Sequence, residues 1–170
     1  MTNLVEIYSS NEDSFAVGSI IYQNDDRVFT HLVDDQGKLD GYLLLNKDAI
    51  ETIESNTDYL RKIEKYMDFW GNISIGDSDN EVFKSKPDFI DLITYAKANN
   101  KIITVATSFD YFDISTGYVT DFNDEYVKID AISRADAKVF EQFEVAIADI
   151  ISLEIESIDN ILLGFANKNS

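Results

Sequence analysis

The sequence predicts a mainly β protein with accessory helices, built as two tandem small β-barrels. Short segments rich in β-branched and aromatic residues recur along the chain, often with alternating polarity, and this pattern is typical of half-buried strands. In addition, the stretch GSIIYQNDDRV, which begins at Gly18, returns as GYVTDFNDEYV, which begins at Gly117. A repeat of this kind indicates that one structural unit is written twice.

The two copies align over most of their length. A shift of 99 residues relates their first strands, as in the pairs Ser9–Ser108, Gly18–Gly117 and Val28–Val127. One extra residue in the second copy, in the loop after Val33, changes the shift to 100 for the remainder. We therefore predict a duplication with a single gap of one residue.

Four strand segments are predicted in each copy. They are VGSIIYQ, RVFTHLV, GYLLLN and AIETIES in the first, and GYVTDF, EYVKIDAI, KVFEQFEVA and IISLEIES in the second. Asn24-Asp25-Asp26 and Asn123-Asp124-Glu125 fall between strands, and Asn and Asp favour hairpin turns. Gly18 and Gly117 are predicted to permit the sharp bend that lets a small sheet curl.

Alternation along the strands assigns each side chain to one face of the sheet. In the first copy it places Val28, Thr30 and Leu32 inside, and it places Phe29, His31 and Val33 outside. The outward positions of the second copy hold Lys128, Asp130 and Ile132. The first unit therefore has the more apolar outer face, which either a covering helix or an interface would explain.

Three helices are predicted between and after the strands. Thr57-Asp58 caps a helix that runs to about Trp70 and ends at Gly71. Pro87 marks the start of a second helix, which stops at Asn99-Asn100. Ser157 and Asp159 open a third helix with apolar Ile161, Leu162 and Phe165, and these apolar stripes are predicted to pack against the core.

A stretch of glycines, acids and serines with little periodicity lies between Gly71 and Pro87 and indicates a boundary. The predicted organisation is a first barrel plus helix over residues 1–72, a linker and helix over 73–100, and a second barrel plus short helix over 101–170.

These features resemble the Sm-like and SH3-like small barrels: short curved strands, an early glycine and an Ile-x-x-Ile strand before a closing helix. The segment DGYLLLNKDAIETIESNTDYLRKIEKY, residues 40–66, is similar to a group of Gram-positive bacterial proteins with tandem barrels of this kind. Sm proteins would imply RNA binding in a ring of subunits. However, the strand that begins at Val28 leads into Asp34-Asp35, and the sequence contains no Arg-Gly or Lys-Gly pair, so the resemblance implies the fold alone.

Composition excludes several classes of function. Lys and Arg total 14 against 32 for Asp and Glu, and the net charge of −18 opposes binding to phosphate backbones and to anionic lipid surfaces. The chain has no cysteine and a single histidine, His31, and it has no Gly-x-Ser-x-Gly or Gly-x-Gly-x-x-Gly motif. We therefore expect no catalytic activity and no cofactor.

The N-terminal residues and the hydropathy pattern bear on location. The first residues, MTNLVEIYSSNEDSF, lack a basic segment followed by an apolar one, so no secretory signal is predicted. The sequence also contains no apolar run of membrane-spanning length. The expected location is the cytoplasm, without a membrane partner.

One acidic segment, DSDNEVFKSKPD, has partial calcium-loop spacing at Asp77, Asp79, Glu81 and Asp88. A calcium loop needs glycine at its sixth position, where this chain has Val82, and it usually ends in glutamate. The alternative, a solvated acidic linker, is therefore favoured, and no metal site is expected.

The leading hypothesis is a non-enzymatic, acidic protein-interaction module, either an adaptor or an immunity or antitoxin-like inhibitor that binds a basic protein. The alternative is an Sm-like nucleic-acid-binding or RNA-associated protein, although no nucleic-acid partner is expected from the charge. The candidate interaction surface consists of Asp25, Asp26, Phe29, His31, Val33, Asp124 and Glu125.

Overall fold

The computed structural model describes residues 3–10, 14–71, 75–110 and 113–169. Within these ranges ten strands form one antiparallel sheet. The strands are β1 Leu4–Ser9, β2 Phe15–Gln23, β3 Arg27–Val33, β4 Leu39–Asn46, β5 Ile50–Ser55, β6 Ile102–Ala106, β7 Ile114–Phe122, β8 Tyr126–Ile132, β9 Val139–Ala146 and β10 Ser152–Ile155. The helices are α1 Asp58–Trp70, α2 Phe89–Asn99 and α3 Ile158–Lys168. The prediction of a mainly β chain with accessory helices is confirmed.

The strand order is β5-β1-β2-β3-β4-β10-β6-β7-β8-β9. The sheet is continuous and does not close, so the prediction of two tandem small barrels is not confirmed. The two halves join where β4 pairs with β10, in a register that places Leu44 opposite Leu153. We call this junction the seam.

The two halves repeat the same hairpin registers. Val33 lies opposite Leu39 in the first half, and Ile132 lies opposite Val139 in the second. The second loop is therefore one residue longer than the first, as predicted.

The alignment of the first strand is wrong by one residue. Val5 lies opposite Gly18, whereas Ile103 lies opposite Gly117. The shift there is 98, so Ser9 does not correspond to Ser108. A second one-residue insertion lies between β6 and β7, where the sequence identities are too sparse to reveal it.

Gly18 and Gly117 lie inside strands at points where two backbones come very close. A Cβ atom at Gly18 would be 2.3 Å from the carbonyl oxygen of His31, and one at Gly117 would be 1.9 Å from that of Asp130. Real Cβ atoms do not approach so closely, so glycine is required at both positions.

All three predicted helices are present and begin with side-chain caps. Thr57 Oγ1 accepts a hydrogen bond from the Leu60 amide, and Ser157 Oγ accepts one from the Asn160 amide. Asp88 and Asp91 form a reciprocal capping box at the start of α2. Thr57 and Ser157 were predicted as helix starts from their neighbours in the sequence, whereas the second helix was predicted to start at Pro87, one residue before its cap Asp88.

The largest core cluster draws on both halves of the chain and on α2. Phe29 and Leu44 come from the first half, Leu92 and Ile93 from α2, and Leu153 from the second half; all are fully buried. Helix α2, which lies in the range predicted as a linker and helix, therefore fills the space over the seam. It packs on strands β6, β7 and β10 of the second half. The residues before it reach the first half, where Phe83 stacks on Tyr42.

Candidate functional site

The acidic residues of the predicted interaction surface lie in two equivalent hairpin turns. Asn24 Oδ1 accepts hydrogen bonds from the amides of Asp26 and Arg27, and Asn123 Oδ1 accepts from those of Glu125 and Tyr126. Four exposed carboxylates belong to these turns: Asp25, Asp26, Asp124 and Glu125. Strands β4, β10 and β6 lie between the two hairpins in the sheet order, so the four acids belong to two separate turns.

The apolar members of the predicted surface are buried, which corrects their assignment to the outside. Phe29 is 0% exposed, and its ring lies 5.7 Å from that of Tyr22 and 5.8 Å from that of Tyr42. Val33 is buried against Leu60 and Ile63 of α1. Because helices and linker residues cover both faces of β3, alternation of polarity does not report exposure there.

His31 is largely buried and holds a linker segment against the sheet. Its ring stacks on Tyr42 at 4.3 Å between centroids, and Nε2 lies 2.9 Å from the carbonyl oxygen of Gly76. A carbonyl oxygen only accepts, so Nε2 carries the proton. Burial lowers the pKa of His31, partly offset by that hydrogen bond and by Asp77. This is the environment of a structural histidine.

Two acids of the partial calcium loop, Asp77 and Asp88, have structural partners in the protein. Asp77 Oδ1 accepts hydrogen bonds from the Tyr42 hydroxyl and from the Ser78 amide, while Asp88 caps α2. In the part of the chain that the structure describes, no group of three or more His, Asp or Glu side chains is placed to hold a metal ion.

Two carboxyl groups, those of Asp40 and Glu154, lie at the seam beside the start of α3. Asp40 Oδ1 accepts a hydrogen bond of 2.8 Å from the Ile158 amide, and burial raises the pKa of Asp40. Burial also raises the pKa of Glu154 to about 7, and the nearby carboxylates of Asp40 and Asp159 add to the effect, against a hydrogen bond from Ser157. The seam therefore favours a protonated Glu154 up to about neutral pH.

We predict that Glu154 makes the protein less stable as the pH rises. Burial raises the pKa of Glu154 from about 4.5 in the unfolded chain to about 7 in the folded protein. The proton on Glu154 therefore stabilises the fold fully below about pH 4.5, and this stabilisation is lost as the pH rises through about 7. The free energy of unfolding of Glu154→Gln should match that of the parent at the acidic end of this window and exceed it by about 3 kcal/mol at the alkaline end. Urea unfolding across the window is the measurement, and an equal pH slope in both proteins would contradict the assignment.

A cavity of about 370 Å³ lies at the other end of the seam. Ser10, Asn46 and Asp48 line it from the first half, and Thr107, Ser108 and Phe109 line it from the second. Ser108 Oγ donates to Asp113 and Asn46 Nδ2 donates to the Ile150 carbonyl, so these polar groups already have partners within the protein.

The most distinctive surface lies in the second half and was missed by the sequence analysis. Four large apolar side chains are exposed there: Val139 (49%), Phe140 (61%), Leu162 (55%) and Phe165 (69%). The first two open β9, and the other two lie on α3. We call these four residues the apolar patch.

The two parts of the apolar patch are held beside the same loop. Asn167 of α3 donates a hydrogen bond of 2.9 Å to the carbonyl oxygen of Ala137, two residues before Val139. At the other end of the helix, Asp159 lies 3.6 Å from Arg134 of the same loop. Helix α3 is thus fastened to the loop that leads into β9.

The prediction that Leu162 and Phe165 belong to the core is wrong. The shift of 100 places them on Lys62 and Lys65 of α1, which are exposed. Comparing the helices of the two copies would have revealed this, because a position that faces water in one copy is expected to face water in the other. Apolar spacing within α3 alone could not distinguish a buried stripe from an exposed one.

Charged residues of both signs flank the apolar patch. Glu141 and Glu144 on β9, Asp136 in the preceding loop and Asp159 on α3 are all exposed, and so are Arg134, Lys138 and Lys168. This surface therefore combines aromatic and aliphatic side chains with a small excess of negative charge.

Comparisons with models of protein families, with curated proteins and with solved structures found no match to this chain. No helix in the described ranges is long and apolar enough to cross a bilayer. Function is therefore argued from the surface geometry and charge alone.

Proposed function

We propose that this chain is a non-enzymatic protein-interaction module whose apolar patch and surrounding acids bind a basic protein. The observation that carries the proposal is the exposure of Val139, Phe140, Leu162 and Phe165 on two adjoining elements. Isolated exposed apolar residues are ordinary on protein surfaces, whereas a group rimmed by polar residues is typical of interaction sites. An adaptor and an immunity or antitoxin-like inhibitor both fit this proposal.

The energetics of such a surface favour a protein partner. Each apolar side chain of this size contributes about 1.5–3 kcal/mol when it is moved from water into an apolar contact. Aromatic residues are also the side chains that most often dominate binding energy at interfaces. Phe140 and Phe165 are therefore the proposed anchors.

The charge supports a basic partner. A net charge of −18 attracts positively charged surfaces, accelerates their encounter with this chain and makes association sensitive to salt. The same charge repels phosphate, which disfavours the nucleic-acid alternative. Clear binding of mixed RNA at low salt, measured by mobility shift, would reverse that preference.

We further propose that each half is a small barrel-like unit and that the two units are joined edge to edge. Support comes from the shared five-strand order, from the matching hairpin registers and from the close backbone approach at Gly18 and Gly117. Asn56 and Glu156, which precede the caps of α1 and α3, also share a positive φ of 59° and 60°. A duplication provides two scaffolds, of which only the second carries the apolar patch.

The test replaces two residues of the apolar patch with those found at the corresponding positions of α1. Leu162→Lys/Phe165→Lys installs on α3 the two residues that α1 already carries at the corresponding exposed positions, so the fold should be retained. Affinity capture from the native host is expected to return a reproducible basic protein with the parent chain and to lose it with the double variant, and the binding of that protein, once purified, should fall by about a hundredfold.

The matched control is Lys62→Ala/Lys65→Ala on α1, which should capture the same basic protein as the parent. Circular dichroism and urea unfolding of both variants verify the fold. Capture of the same protein by the Leu162→Lys/Phe165→Lys variant, or no reproducible partner at either low or physiological salt, would contradict the proposal.

A further inference from the structure

Strand β9 ends the sheet with a free edge, and its counterpart in the first half is β4. The two strands correspond by the shift of 100, since Val28 lies opposite Leu45 and Val127 lies opposite Val145. On β4 this edge is occupied, because β10 pairs with residues Tyr42 to Leu45. The described residues include no strand on the outer edge of β9.

We infer that β9 binds an added strand from the basic partner, antiparallel to β9 and opposite residues 142–145. This inference rests on the proposed function and names the part of the surface that a partner backbone would engage. An unpaired edge offers a row of amide and carbonyl groups, and such an edge is a template for an added strand. In the first half, the equivalent edge on β4 does bind a further strand, β10.

The side chains of β9 define the partner's chemistry. Phe143 and Val145 are half-buried and face the same side of the sheet as the core residues Ile129 and Val127. Glu144 lies on the opposite face and is exposed. The strand that fits therefore places apolar residues beside Phe143 and Val145 and a basic residue beside Glu144.

The neighbouring charges agree with a basic strand. Asp130, on β8, accepts a hydrogen bond of 2.9 Å from Gln142 Nε2 of β9 on that same face. Glu141 directly precedes residues 142–145, and Lys128 is the cation opposite Glu144 on β8. Three carboxylates and one ammonium group thus lie along or next to this edge.

A second copy of this chain does not fit this register through its β5. Its β5 would be the strand equivalent to β10, but β5 carries exposed Glu51 and Glu54, which would meet an acidic edge. The side chain of Glu141 would also keep β5 from approaching β9. At the seam, the backbone of residues 155–157 lies only 2.4 Å from where a Cβ of Gly41 would be. The residue of β9 that corresponds to Gly41 is Glu141, whose Cβ would clash in the same way.

Leu44 is likewise replaced by Glu144, so the contact with Leu153 that closes the seam has no apolar equivalent on β9. The occupant is therefore an extended strand of a different protein, without the turn and helix that follow β10.

The test uses an acetylated and amidated peptide that alternates lysine with valine. Amide hydrogen exchange of the full chain is measured with and without this peptide, and a fluorescein-labelled form gives the affinity by anisotropy. We expect slower exchange in residues 139–146 and unchanged exchange in residues 50–55 of the opposite edge. A peptide that alternates glutamate with valine should leave exchange unchanged throughout.

Two further comparisons separate strand addition from attraction of charge alone. The basic peptide with N-methyl groups on every second residue, made in both alternating positions, cannot form a full ladder, and at least one version should lose the protection of β9. Glu141→Lys/Glu144→Lys should weaken binding by about tenfold or more. The matched charge change on the other edge, Glu51→Lys/Glu54→Lys, should leave the affinity within about twofold of the parent.

Binding of both N-methylated peptides as tightly as the unmethylated one, equal protection of residues 50–55, or no protection of β9 would overturn the inference. These outcomes are distinguishable from failure of the proposed function, which depends on Leu162 and Phe165 and on a captured protein. If Leu162→Lys/Phe165→Lys loses the captured protein but the basic peptide does not protect β9, the proposed interaction module is supported and strand addition is contradicted.

Discussion

Gly41→Ala is expected to lower the free energy of unfolding by about 4 kcal/mol, through backbone strain and overpacking together. Gly41 has a φ of +77°, which residues with a side chain rarely adopt, and its missing Cβ faces backbone atoms at the junction of β10 and α3. A Cβ at 2.4 Å from the carbonyl oxygen of Ile155 cannot be accommodated unless the strands of the seam move apart. Urea unfolding followed by circular dichroism is the measurement.

The matched control for Gly41 is Gly71, at the end of α1. Its φ of +58° makes an alanine strained there too, but a Cβ would meet nothing within 4 Å. Gly71→Ala should therefore cost only the backbone strain, about 1–2 kcal/mol. Equal losses in the two variants would show that the close approach at the seam is not what makes glycine necessary at position 41.

Phe29→Ala is the second large effect, and we expect a loss of about 3–5 kcal/mol. The ring is fully buried in the cluster shared by both halves and α2, and it packs against Tyr22 and Tyr42. Removing it leaves a cavity that rigid aromatic neighbours cannot fill. The loss is measured by urea unfolding, with tyrosine fluorescence and circular dichroism as independent probes.

Phe140→Ala provides the comparison, since Phe140 is 61% exposed. The change should alter the free energy of unfolding by no more than about 0.5 kcal/mol. Sequence alternation assigned Phe29 to the surface, so this pair of variants also tests the corrected assignment. A small loss for Phe29→Ala would mean that the first half presents an apolar face after all.

Local signals in the sequence predicted much of the secondary structure. The turns at Asn24 and Asn123 and the caps at Thr57, Asp88 and Ser157 involve residues no more than four apart in the chain, so their geometry depends on local chemistry. The extra residue in the second loop also followed from the repeat, whereas β1 and β6 were not among the predicted strand segments.

Exposure was predicted less well, and three positions show why. Phe29 alternates with inward residues yet is buried, because Tyr22 and Tyr42 pack on its ring and the linker residue Phe83 and the second half join the same cluster. Leu162 and Phe165 have core-like spacing yet are exposed, because α3 uses other residues, including Asn160, against the sheet. In each case the covering element is distant in sequence from the strand or helix it covers, or is absent among the described residues.

By itself the sequence determined the turns, most of the strands, the starts of α1 and α3, the repeat and the charge of −18, since these depend on residue type and on near neighbours. Only the tertiary structure decided that β4 is joined to β10, that α2 packs on β6, β7 and β10, and that β9 is left with a free acidic edge beside the apolar patch. The physical reason is that the two copies have nearly the same local pattern, so contacts between elements determine which strand edge is paired and which face a helix covers.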